Sequence, residues 1–179
     1  MITTDLKDLK DFKVPTAMIK KIFPPKKSVF TVDTTGDGKV DSVKLVALNV
    51  IAPFGIPAKG DLGDINVDEI DPSKYGKLLL DGEVIDISKN TNNVNLIKES
   101  LRIYHKNESF SFNDVLGGSF GGRTIAMGDQ IIVVFKLDES FLAKLTEGKH
   151  TLSLESEKIP NIEISFELTK NSMNQKFSP

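Results

Sequence analysis

Cysteine and tryptophan are absent from this 179-residue chain, and it has only two tyrosines, two histidines and two arginines. Without cysteine there is no disulfide, thiolate zinc site, iron–sulfur cluster or thiol nucleophile, and redox compartment leaves no mark. Aromatic residues make up only 7%, with Tyr75 and Tyr104 the sole tyrosines. That poverty removes the stacking platforms on which sugar-binding modules and most glycosidases rely. Charge of one sign is also missing: 23 basic residues face 25 acidic ones, for a net charge of −2. Only Arg102 and Arg123 offer the planar fork that reads phosphates and guanines, so nucleic-acid binding is not expected. The one basic excess is local, at Lys13, Lys20, Lys21, Lys26 and Lys27.

Long hydrophobic runs are lacking too. The longest apolar stretch, residues 43–57, carries Lys44 and Asn49 and is too short for a membrane span. No signal peptide is seen in the first 23 residues. The expectation is a protein made in the cytoplasm with no membrane span, or a surface protein if the chain is cut from a longer one. Sequence motifs of catalysis are equally scarce. There is no nucleophile elbow, HExxH, dinucleotide-binding glycine pattern or Walker sequence. The glycine-rich stretch 117–123 has no Lys-Ser/Thr pair after it and no helix pattern to aim backbone donors at a phosphate. We therefore expect a non-enzymatic protein.

What the chain does contain is period-2 alternation. Residues 29–33, 43–52, 101–105, 109–112, 151–155 and 162–168 alternate apolar with polar, as half-buried strands do. Residues 77–87 read as two short strands bent at Asp81-Gly82, a favoured turn pair. Residues 131–135 form an unrelieved apolar run suited to a central strand, entered through Gly128-Asp129. A weak helix is expected over 95–100. A better one is expected near 138–146, capped by Asp138 or Ser140 and stopped by Gly148. Seven to nine strands without alternating long helices predict an all-β fold, an antiparallel β-sandwich of immunoglobulin-like or single jelly-roll type. The expected organisation is an N-terminal arm at 1–27, a sandwich at 28–169 and a C-terminal tail at 170–179. In the arm, Leu6, Leu9, Phe12 and Val14 suggest a short amphipathic turn capped by Thr3 or Thr4 and ended by Pro15.

The sharpest local pattern is Asp33-Thr34-Thr35-Gly36-Asp37-Gly38-Lys39-Val40-Asp41. Oxygen-bearing side chains alternate and a glycine stands at the sharp turn, an arrangement suited to a hard cation. The stretch resembles the calcium loops of EF-hands, dockerin modules and β-propeller repeats. The resemblance implies calcium held by Asp33, Thr35, Asp37, the Lys39 carbonyl and Asp41. It departs at the twelfth position, where Lys44 stands in place of a bidentate acid. The same residues also read as a β-hairpin turn with a solvated tip, and both readings stay open. Asp61, Asp64, Asp68, Glu69 and Asp71 form a second acidic stretch, read as a solvated loop. The 117–123 stretch reads as a mobile loop between strands, and an exposed Phe120 and Arg123 at its tip are candidate partner contacts. His105 is expected at the surface. His150, two residues after Gly148, resembles the corner of immunoglobulin-like domains, where such a side chain bonds back to the chain as it enters a strand.

The expected role is a structural subunit that associates with itself or with other protein subunits. A sandwich flanked by polar arms resembles, in architecture alone, single jelly-roll virion proteins. The alternative is a calcium-stabilised binding or adhesion module of a surface protein.

Overall fold

The structure is a computed structural model that describes residues 14–58, 71–157 and 160–177. It is an all-β, sandwich-like fold with twelve strands and a few short helices among those residues. A six-stranded sheet runs in the order β12 (Gln175–Lys176), β1 (Val29–Asp33), β2 (Ser42–Leu48), β9 (Gln130–Lys136), β6 (Arg102–His105), β7 (Glu108–Ser111). A four-stranded sheet has the order β11 (Ile162–Leu168), β10 (Gly148–Glu155), β4 (Lys77–Leu80), β5 (Glu83–Ile85). A third, two-stranded ribbon pairs β3 (Phe54–Gly55) with β8 (Thr124–Ile125). All pairings are antiparallel except that of β12 with β1.

The two large sheets face each other because alternate side chains of each are apolar. Val29, Val43 and Leu45 of β1 and β2, with Phe135 of β9, meet Leu78, Leu80, Ile85, Leu152, Phe166 and Leu168 of the other sheet. Burial of this kind contributes roughly 1.5–3 kcal/mol per large side chain. The apolar run of β9 is central as expected, paired with β2 on one side and β6 on the other. The Asp81-Gly82 turn also forms, with φ of 51° and 82°, and sets the register Leu80↔Glu83.

Helices punctuate the strands. α1 (Thr16–Ile22) starts after Pro15, its N-cap: the φ of −59° already suits a first turn, and the missing N–H costs nothing there. α1 packs against β11 and β2 and buries Ile19. So the span expected as a polar arm includes an element docked on the sandwich. α2 (Asn92–Ser100) starts three residues earlier than the weak pattern suggests, because the Thr91 side chain accepts from the Val94 N–H. α3 (Phe112–Leu116) was not anticipated. It rests on a capping box in which Ser111 and Asp114 serve each other's backbone N–H. α4 (Glu139–Leu142) has the Asp138 cap as expected, but it ends at Ala143. Gly148 is no helix stop: it opens β10 with φ +137°. The C-terminal span is likewise bound to the sandwich, since β12 lies parallel on β1 and Ser172 accepts from the Thr31 N–H through its carbonyl. The arm residues Leu6, Leu9 and Phe12, and Asp61, Asp64, Asp68 and Glu69 of the acidic stretch, lie outside the described residues.

Candidate functional site

The 33–41 loop joins β1 to β2 at one end of the six-stranded sheet. Asp33, only 7% exposed, is its organising group. One carboxylate oxygen accepts from the Thr35 and Gly36 amides and the Thr35 hydroxyl at 3.0, 2.6 and 3.1 Å. The other accepts from the Gly38 amide at 2.7 Å. Burial pushes this carboxyl up, but those donors outweigh it and hold the group below its ordinary value. Gly36 and Gly38 have φ of +80° and +86°, the left-handed geometry that turns their amides inward. Asp41 accepts from the Thr34 amide and hydroxyl and from the Ser42 hydroxyl, with the Lys136 ammonium 3.9 Å away. Exposed Asp37 accepts from the Lys39 N–H at 2.8 Å.

The five expected calcium positions thus form a hairpin loop whose side-chain oxygens are engaged by the loop's own donors. Among the described residues, no group of three or more His, Asp or Glu side chains comes together as a metal cluster. The likeness to a calcium loop rests on the spacing of Asp33, Thr35, Asp37, Lys39 and Asp41. Asp71, the described member of the second acidic stretch, caps a single 3-10 turn at Pro72–Lys74. It accepts from the Ser73 amide and hydroxyl and from the Lys89 amide.

Phe120 and Arg123 are not an exposed tip. Phe120 is 8% exposed and packs on Phe110, ring centroids 5.0 Å apart, with Ile125 completing a second small core. The reason is the capping box of α3, which folds residues 112–116 back over β7 so that the next turn points inward. Arg123 stands with its guanidinium 4.3 Å from the Phe110 ring centre and grips both Glu108 oxygens at 2.9 and 3.1 Å. The guanidinium bonds hold the Glu108 carboxyl below its usual value. Both residues fasten the 112–125 segment to the sheet.

His105 does not lie at the surface, where outward alternation would put it. His105 is 3% exposed, and its Nε2 is 3.0 Å from Asp129 at the Gly128-Asp129 turn. Asp129 also accepts from the Ala126 N–H, and these bonds, His105 first, lower its carboxyl pKa. The missed signal is that turn itself: a carboxylate at the entrance to a central strand faces the end of its neighbour. His150 Nε2 donates to the Thr146 carbonyl at 2.8 Å, the bond back to the preceding chain that the corner resemblance implies. Its Nδ1 lies 2.7 Å from Asp81, whose second oxygen accepts from the Thr151 N–H, and its ring stacks on Phe166. One side chain therefore ties the β4–β5 turn, β10 and β11 together.

One concave surface among the described residues lies beside Tyr75, Lys77, Glu155 and Asn161, and another runs beside Tyr104, Lys106 and Asp129. A third is a largely apolar groove beside α1. Among the described residues, no helix is long and apolar enough to cross a membrane. Comparison with known proteins finds no family model that matches the chain and no curated relative by sequence.

Proposed function

We propose that the protein is a non-enzymatic structural subunit that assembles with copies of itself or into a larger shell such as a virion. The observation that supports this reading best is the edge of the four-stranded sheet. β11 is seven residues long and has β10 on one side alone. The other described edge strands of the two large sheets, β12, β5 and β7, have two, three and four residues. Monomeric proteins usually blunt a long edge, because its free backbone groups template pairing with another chain.

One end of β11 is blunted, where the Glu167 N–H donates to the Pro25 carbonyl at 2.8 Å. By the period-2 alternation of a ladder, Ser165 and Glu163 turn their backbone groups to the same side as Glu167. Their side chains are exposed, while Ile164 and Phe166 point into the core. A second copy can therefore add a strand along 162–165 without disturbing the core. The test is Ser165→Pro, which removes an outward N–H and leaves the β10 ladder intact. The expected result is a folded protein whose larger species are lost by light scattering. Unchanged assembly by the variant overturns the edge as the route.

A further inference from the structure

We propose that the end of the six-stranded sheet where β2 leaves and β9 enters docks on an anionic lipid bilayer. Ile51, Phe54 and Met127 enter the headgroup layer, and Lys20 and Lys21 meet the lipid phosphates. This goes beyond the subunit reading and does not depend on it.

Large apolar side chains stand in water at this end. Ile51 is 59%, Phe54 45% and Met127 65% exposed, three of the five such residues among those described. Exposed apolar groups that gather in one place mark a contact surface. Asn49, the residue after β2, holds them there. Its side-chain amide donates to the carbonyls of Ala52, Ile125 and Ala126 at 2.9, 3.0 and 3.0 Å. Its side-chain oxygen accepts from the Ile51 N–H at 3.2 Å. Its backbone meets the same turn, accepting from the Gly128 N–H at 2.7 Å and donating to the Asp129 carbonyl at 2.9 Å. One asparagine thus fastens the 49–52 segment to the turn that carries Met127. Ile51 and Phe54 also border the apolar groove, which Ile22, Leu48 and Ile131 line.

The chemistry of these tips favours lipid over a protein partner. Residues 50–58, Val-Ile-Ala-Pro-Phe-Gly-Ile-Pro-Ala, and 125–128, Ile-Ala-Met-Gly, contain no polar side chain. A protein interface carries about one hydrogen bond per 100–200 Å², and these tips have no side chain to supply one. A bilayer surface asks only for apolar groups at the acyl boundary and opposite charge at headgroup level. That charge comes from α1, where exposed Lys20 and Lys21 lie in the last turn, directly before the groove residue Ile22. Neither forms an ion pair among the described residues. Asp129, the acid of the Met127 turn, is engaged by His105, Lys106 and the Ala126 N–H.

The test uses the absence of tryptophan. Phe54→Trp gives a single reporter whose emission moves to the blue on entering lipid. Vesicles of phosphatidylcholine with phosphatidylserine should produce that shift, and bromine-labelled acyl chains should quench it. Vesicles of phosphatidylcholine alone should not. Val84→Trp, at a 53% exposed apolar site on β5, should give neither signal. Lys20→Gln and Lys21→Gln should each weaken binding about fivefold, and added salt should weaken it further. Ile51→Ser with Met127→Ser should abolish cosedimentation with the anionic vesicles while leaving the thermal melt unchanged. No shift with anionic vesicles overturns the proposal, as does an equal shift with neutral ones or at Val84→Trp. Cosedimentation that survives Ile51→Ser with Met127→Ser overturns it too. A blue shift that grows with protein concentration in the absence of vesicles assigns the surface to a second copy and overturns lipid docking. None of these outcomes bears on the β11 edge, which Ser165→Pro tests separately.

Discussion

Truncating Phe120 to alanine separates an internal anchor from a surface contact. The ring is 8% exposed and touches Phe110 in a cluster that includes Ile125, itself fully buried. Buried Phe→Ala changes cost about 3–5 kcal/mol, the sum of lost transfer energy and the cavity left behind. The Arg123 guanidinium keeps its closer ring, Phe110, and its pair with Glu108, so those contributions survive the change. The site is a small satellite core under a surface segment and can partly collapse, which places the cost at the lower end, about 3 kcal/mol. For a chain of this size each kcal/mol lowers the melting temperature by about 2–4 °C, giving a fall of about 6–12 °C. Thermal melts followed by circular dichroism, with urea unfolding as a check on the slope, measure it. A change under about 0.5 kcal/mol is what an exposed residue gives, and would refute the inward packing of the 112–125 segment.

Other consequences concern the 33–41 loop. Asp37→Ala removes an exposed acceptor for one amide, so stability should change by about 0.5 kcal/mol or less, equally in calcium and in chelator. A loss of stability confined to calcium buffer would support the cation reading of the loop. Asp33 has its pKa lowered from 3.8 in the folded protein, so its contribution is present above that value and fades as pH falls through the lower folded one. Asp33→Asn should accordingly flatten the acid limb of a stability–pH profile below about pH 4. An unchanged limb would mean that the loop amides do not favour the ionised form.

Much of the sheet architecture was legible because its signals are local. The alternation of residues 162–168 directly gives the inward set Ile164, Phe166 and Leu168, and the Asp81-Gly82 pair gives its turn. Elements fixed by reciprocal side-chain bonds were harder. α3 depends on Ser111 and Asp114 meeting across one turn inside a stretch whose glycines suggest a loop. α1 was hidden because Pro15 reads equally as the end of one helix and the start of another. Sequence neighbours predict exposure at Phe120, Arg123 and His105, whereas partners far along the chain decide their placement: Phe110, Glu108 and Asp129. The calcium-like spacing of 33–41 was readable, but how the loop spends its oxygens depends on backbone geometry that spacing does not encode.

Sedimentation velocity over a wide concentration series, run in calcium and again in chelator, tests the subunit reading most directly. Large species that grow with concentration in both buffers and vanish in Ser165→Pro are the expected result. A sharp monomer boundary at every concentration contradicts it.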